Sequence, residues 1–245
     1  MPIELVTSQC CLGMLDRKEL FTVVKRCGYA KTELFATWGS SKFTPADTPA
    51  STSFEGVSVS AVHLPGEVEE AKRIISTAAA CGIPQVIVHG AGAPKDANKW
   101  LKPLVIHARN LGIGIVLTNH KGQSIDSPDD VRTAVAACGN DKSGVLFEAG
   151  QYWASGHDAL KLFKEFEKDI TLIHVKDLDR EGKSVPWGTG WCPLADFFRL
   201  VAESSYSGRV VVECEPKESV ENLSRYLTDA RNMALDWMKQ PVTGN

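Results

Sequence analysis

The sequence predicts a single (β/α)8 TIM barrel that closes with a C-terminal helix, and three observations carry the prediction. First, the chain has 245 residues, 43% hydrophobic and 23% charged. Those are ordinary globular values, and the length is near the roughly 250 residues of one eight-unit barrel. Second, short apolar runs rich in Val and Ile recur eight times, mostly without strict alternation, as strands covered on both faces do. Third, segments with helical spacing separate the runs. Strand–helix alternation means a parallel sheet with right-handed crossovers, and eight strands in this length favour closure over an open sheet. No low-complexity segment interrupts the pattern, so residues 1–245 read as one domain.

The strand runs, in order, are Ile3–Thr7, Lys31–Ala36, Val57–His63 and Gln85–Gly90, then Gly112–His120, Ser143–Gly150, Ile170–Asp177 and Arg209–Pro216. The helical patterns between them include DRKELFTVVKRCG, GEVEEAKRIISTAAACG and HDALKLFKEFEKD. Most end at a glycine, which tolerates the left-handed conformation that stops a helix. SPDD at Ser127–Asp130 is a helix start, with a serine cap, proline in the first turn and two acids near the positive end of the dipole. The second unit is the exception. Its Ser/Thr/Pro-rich stretch Gly39–Gly56 predicts a loop with at most a short helix. A final helix is expected from about Val220 to Trp237.

Composition excludes several functions. The net charge of −3 offers no basic field, so nucleic-acid binding is not expected. No window approaches the roughly 20 apolar residues of a membrane helix, and MPIELVTSQCCLG lacks a secretory signal pattern. Seven cysteines, an odd number without a Cys-x-x-Cys, predict reduced thiols in a cytoplasmic protein.

In such a barrel the chemistry sits at the C-terminal strand ends. Here those ends hold His63, His89, Thr118 with His120, Glu148 with Gln151, His174 with Lys176, and Glu213 with Glu215. His63 and His89 could each simply close a strand. Glu148 after GVLF and Glu213 after RVVV are harder to explain structurally, because a desolvated carboxylate needs a partner or a cation. Glu215 lies on the same side as Glu213 but further out. Trp187 and Trp191 flank GTG after His174, Trp153 follows Glu148, and Trp38 lies just past the second strand. Aromatic faces of this kind suit the C–H faces of sugars, although a buried Trp is as often core.

IHVKD (Ile173–Asp177) with VPWGTGW downstream, then LVAESSYSGRVVVECEP (Leu200–Pro216), resemble the sugar phosphate isomerase/epimerase group of xylose isomerase-like barrels, relatives of endonuclease IV. GYAKTEL, AACGIPQVIVHGAG and EAGQYWASGHD add weaker matches in the same order. The resemblance implies one divalent ion (Mn2+, Mg2+, Co2+ or Zn2+) on Glu, Asp, His and Glu. Carried over, the metal residues are Glu148 in the Asp position, His174 and Glu213, while Thr118 stands where the first Glu would be. Gln151 replaces a sugar-binding His, and Arg180 matches an Arg six residues after the metal His. Substrate-binding candidates are therefore His63, His89, Gln151, Lys176, Arg180, Trp187 and Trp191.

Two carboxylates and one imidazole suffice to hold a divalent ion with open positions, though more weakly than a complete set. Epimerisation needs a base on each face of the substrate. With Thr118 in place of one, Glu213 remains as base, with Glu148 and His120 the other catalytic candidates. The expectation is a metal-assisted carbohydrate isomerase, or a related epimerase or lyase, that takes a proton beside a carbonyl. The alternatives are a catalytically degenerate sugar-binding barrel and, remotely, an endonuclease IV-like enzyme. The expected partner is a small carbohydrate, with no nucleic acid and no membrane, and a homo-oligomer is left open.

Overall fold

The chain is described by a computed structural model covering residues 3–141 and 143–240. Eight parallel strands form the barrel: β1 (Glu4–Ser8), β2 (Lys31–Phe35), β3 (Val57–His63), β4 (Gln85–Val88), β5 (Gly114–Thr118), β6 (Gly144–Glu148), β7 (Ile170–Val175) and β8 (Arg209–Val212). Each pairs with its sequence neighbours, and β1 pairs with β8, which closes the sheet. The predicted strands are all present within a few residues of their expected ends.

Helices α1 (Arg17–Arg26), α2 (Val68–Ala80), α3 (Ala97–Asn110) and α4 (Pro128–Ala137) follow β1, β3, β4 and β5. After β6 come α5 (Ala149–Ala154) and α6 (Ala159–Phe166), after β7 comes α7 (Leu194–Glu203), and α8 (Val220–Trp237) ends the fold. The start signals act as expected. Ser127 accepts from Asp130 N at the head of α4 while the Asp130 side chain returns a contact to Ser127 N. Asp16 and Glu19 make the same reciprocal cap on α1.

The second unit has no helix beyond a 3-10 turn, Pro49–Thr52, and the two-residue strand Ser53–Phe54 pairs antiparallel to β3. A guanidinium takes the place of the missing helix. Arg17 Nη1 lies 2.7 Å from Asp47 Oδ1 and donates to Ser51 O, while Nε donates to Ser41 O and Nη2 to Lys42 O. Phe43, fully buried, anchors the loop in the core.

The barrel interior is filled from below. Val6, Ala61, Ile87, Val116, Leu146, Leu172 and Val211 form a buried apolar cluster of their own, one residue from each of seven strands. On β2 the register partner of Ala61 is Glu33. Below this plug, Arg209 donates to Ser60 O and Gln85 Oε1. Because side chains alternate along a strand, the residue two beyond each plug member points inward one layer higher. That layer is Ser8, His63, His89, Thr118, Glu148, His174 and Glu213. The site is therefore a polar layer stacked on an apolar floor.

Among the described residues no helix is long and apolar enough to cross a membrane. All seven cysteines are free.

Candidate metal centre and its surroundings

His174 is the hub of the polar layer. It is 1% exposed, and its two ring nitrogens face opposite ways. Nδ1 lies 3.1 Å from Glu148 Oε1 and 3.1 Å from Glu213 Oε1; Nε2 lies 3.0 Å from Glu33 Oε2. The carboxylates cluster because β6 and the end of β8 deliver Glu148 and Glu213 at the height of His174 on β7, while β2 delivers Glu33 one layer below. Burial alone would discharge the His174 ring, but Glu33 and Glu213 outweigh it and hold its pKa well above the usual range. Burial likewise raises Glu213, yet Lys176 and His174 hold it well below the carboxylate range.

Lys176, just past β7, points back into the same space. Its Nζ is 2.8 Å from Glu213 Oε2 and 2.8 Å from Glu215 Oε1. Burial works against its charge, but Glu213, Glu148 and Glu215 more than compensate and raise its pKa. Cys10, following β1, donates its thiol to Glu213 Oε1 at 3.4 Å. Burial, with Cys11 and Glu213 beside it, keeps that thiol protonated.

A small chamber of about 190 Å3 opens on this cluster, lined by Cys10, Phe35, Trp38, His63, His89, Thr118, His120, Glu148, His174, Lys176, Glu213 and Glu215. Above it lies a wider bowl of about 700 Å3 that shares His120, Lys176 and Glu215 with the chamber and adds Gln151, Asp179, Lys183 and Lys217. The chamber has an aromatic side: Phe35 stacks on His63 at 3.8 Å between ring centroids, with Trp38 tilted beyond it.

Glu148, His174 and Glu213 each present a ligand atom within 4.8 Å of the others. A divalent ion fits this donor set. Glu148 Oε2 is buried without a hydrogen-bond partner, and the buried carboxylates Glu33, Glu148 and Glu213 outnumber the buried cations His174 and Lys176. An added positive charge would meet both deficits. Thr118 can offer it only a neutral hydroxyl oxygen, whose hydrogen is donated to Asn119 O at 3.1 Å.

The other expected residues divide into two groups. His63, His89, His120, Gln151 and Lys176 line the chamber or the bowl. His120 has Nδ1 at 3.1 Å from Lys121 O, which fixes its proton there, and Nε2 at 3.2 Å from the Gln151 amide nitrogen. It therefore faces the rim as an acceptor. Trp187, Trp191 and Arg180 stand apart from both cavities. Trp187 is 5% exposed, stacks on Trp237 and donates Nε1–H to Glu213 O, so it braces the strand end from outside the barrel. Trp191 donates to Asp179 O, and exposed Arg180 lies over its ring. Trp153 is core, edge-on to Phe197.

The IHVKD and VPWGTGW segments are joined by Asp177. Its carboxylate accepts from Leu178 N, Gly188 N and Gly190 N at 2.9 Å each and from Cys192 N at 3.3 Å. Gly190 approaches Asp177 so closely that a Cβ there would overlap its carboxylate and the Leu178 carbonyl.

Glu33, just below the polar layer, and Cys10, at its edge, touch the cluster but were not selected by the sequence reading. Glu33 carried the same signal as Glu148 and Glu213, an acid inside an apolar strand, but LysThrGlu made that strand look polar at its start. Cys10 carried no signal beyond its place after β1.

The family described as xylose isomerase-like TIM barrel matches residues 14–239. Inosose dehydratase from Lacticaseibacillus casei is 27% identical over 150 residues, 54% of this chain and 50% of that protein. The chain thus spans about half the length of the curated relatives it matches. The fold is shared with a crystal structure of IolI protein with a zinc atom, at a TM-score of 0.78, 15% identity and coverage of 99% of this chain and 100% of that one. It is shared too with apo 3-keto-D-glucoside 4-epimerase YcjR from E. coli, at a TM-score of 0.73, 14% identity and coverage of 94% and 99%. With nearly the whole barrel inside the family match, the chain belongs to the xylose isomerase-like TIM barrel family.

Proposed function

We propose that this barrel is a divalent-metal-assisted enzyme acting on a small carbohydrate or keto-sugar, in which Glu213 takes the proton from the carbon beside a carbonyl. One observation carries the reading: Glu213 reaches the chamber as an ionised, buried carboxylate, with His174 Nδ1 at 3.1 Å and Lys176 Nζ at 2.8 Å. A carboxylate held down by neighbouring cations is a weak base in isolation, so the acidity of the substrate proton must be raised to meet it. When bound by Glu148, His174 and Glu213, a divalent ion supplies Lewis-acid polarisation of the substrate oxygens. Lys176 orients the Glu213 carboxylate and places a second positive charge beside the same space.

On the face where a family epimerase would have its other base stands Thr118, whose hydroxyl is engaged with Asn119 O. Only one carboxylate base then serves the reacting carbons. If the proton returns to the adjacent carbon, the outcome is aldose–ketose isomerisation. If it passes to a hydroxyl on the next carbon, water leaves and an unsaturated ketone remains; Lys176 is the group placed to deliver it. The inosose dehydratase relatives support the second course, and the aromatic side of Phe35 and Trp38 suits a sugar ring in either.

The test is proton exchange in D2O, followed by NMR on a panel of keto-sugars and inososes, with protein stripped by chelator and reloaded with Mn2+, Co2+ or Zn2+. Exchange should return with metal and disappear in Glu213→Gln. Full turnover in rigorously stripped protein would remove the metal from the scheme. Ligand binding without exchange for any sugar would favour a carbohydrate-binding barrel, the outcome that the absent acid at Thr118 makes worth checking.

A further inference from the structure

Two large apolar side chains stand exposed at the barrel mouth, Met14 at 56% and Trp38 at 41%. Both line a groove of about 410 Å3 whose other apolar residues include Pro216 and Leu223. The groove is continuous with the chamber, because Cys10, Trp38 and Glu215 line both. Trp38 is not a loose surface ring. The fully buried Gln9 side chain donates from Nε2 to Trp38 O at 3.1 Å and accepts from Phe35 N at 2.8 Å, which clamps both ends of the turn after β2. The indole leans on Phe35 with 4.9 Å between ring centroids, and it covers Gly13 so closely that a Cβ there would overlap it. An aromatic ring fixed in this way leaves apolar surface in water, which is unfavourable until something covers it.

We propose that this groove is the subsite for an aromatic group attached to the sugar: the substrate is an aryl glycoside whose sugar ring enters the chamber while its aglycone lies between Trp38 and Met14. The proposal deepens the carbohydrate reading above and rests on it. Three features select this occupant. A group attached to a ring in the chamber enters the groove past Trp38, which belongs to both spaces. An indole and a thioether both favour an aromatic partner, the first by offset or edge-to-face packing and the second by sulfur–ring contact. On the rim, Glu215 and Glu218 outnumber Lys217, a balance that disfavours an anionic appendage such as a phosphate. The bowl, which shares Glu215, Pro216 and Lys217 with the groove, offers no such seat: among the described residues its lining contains no Trp, Tyr or Phe.

The probes are matched phenyl and methyl β-glycosides of glucose, galactose, mannose and xylose, titrated into the protein with Zn2+ present, so that affinity is read without turnover. Binding is followed in 1H–15N spectra, with the Trp38 indole N–H assigned by its loss in Trp38→Phe. The phenyl member of a pair should bind ~2–10-fold more tightly than the methyl member and should shift the Trp38 signal. Met14→Ser alters the groove without altering the chamber lining, so it should erase much of that preference and leave the methyl affinity unchanged. Gly13→Ala keeps the indole but pushes it off its seat, and it should reduce the preference as well. Equal affinities within every pair, a preference that survives both variants, or a Trp38 signal unmoved by the phenyl series would each overturn the proposal. Sedimentation velocity covers the rival occupant: a dimer that Met14→Ser dissociates would assign the groove to a second copy of the chain and overturn it too. Methyl glycosides that bind with no phenyl preference defeat this inference alone, whereas no binding by either series would refute the carbohydrate reading beneath it.

Discussion

Replacing Lys176 by Met removes the ammonium that stands 2.8 Å from both Glu213 Oε2 and Glu215 Oε1 while keeping a side chain of similar length. Unit charges at that separation attract by ~6 kcal/mol at an effective dielectric constant of ~20, a gross figure that desolvation partly offsets. The net effect is set by what is left behind. The Glu213 side chain is 4% exposed and would lose its main counter-charge, whereas Glu215 at 32% retains water. Breaking a buried pair in this way costs ~3–5 kcal/mol. For a chain of this length that lowers Tm by roughly 6–20 °C. Saturating Mn2+ or Zn2+ should recover most of the difference, because the ion gives Glu213 a new positive partner. The metal-induced rise in Tm should thus be larger in Lys176→Met than in wild type. Circular dichroism melts with chelator and with metal measure all four values. A metal-free variant as stable as wild type would show that Lys176 is not the counter-charge, and an equal metal shift in both proteins would show that ion and ammonium do not share Glu213.

Further expectations follow from the same contacts. Glu213→Gln should lower kcat by ~10²–10⁴-fold, the usual worth of a positioned base, measured with metal saturating. Glu33 has its pKa held at about 2 against an ordinary 4.5, because His174 and His63 outweigh the effect of burial. A depressed folded pKa contributes stability that is present above pH 4.5 and lost as pH falls towards 2, here on the order of 3 kcal/mol. Urea titrations of the metal-free protein should therefore show a flatter acid limb in Glu33→Gln than in wild type. Asp177→Asn should cost ~1.5–3 kcal/mol through its weakened bonds to backbone N–H groups and speed amide exchange at Gly188, Gly190 and Cys192, read by hydrogen-exchange mass spectrometry. At Gly150 a Cβ would stand 2.5 Å from Lys176 Cγ. Gly150→Ala should displace that side chain and reduce turnover with little change in far-UV spectrum.

The barrel was legible in the sequence because its strands are bounded runs of Val and Ile and its helices carry their own caps, as Ser127 and Asp130 do. Glu148, His174 and Glu213 were legible for a related reason: each ends an apolar run, where a charged group demands a partner. Glu33 follows the same rule but lies one layer deeper in a strand with a polar start, so its strand did not advertise a buried acid. The tryptophans failed differently. Chain position after a strand end says that a residue is near the mouth, not which way it turns. Trp187 turns outward under α8, where its indole finds Trp237 and a backbone carbonyl. The missing second helix was read correctly from composition, but the Arg17 network that replaces it joins residues 24 to 34 positions apart and has no local signature.

The seven-residue hydrocarbon floor makes the barrel a vessel with one opening. In the proposed reaction a hydrogen lifted from a substrate carbon cannot drain through the base and must wash out through the mouth, past His120, Lys176 and Glu215 or past Cys10 and Trp38, or be handed back before it does. Isotopic label lost to bulk solvent then acts as a clock for how often that doorway opens during a catalytic cycle. A product that keeps its original hydrogen would mark the doorway as slower than the chemistry inside.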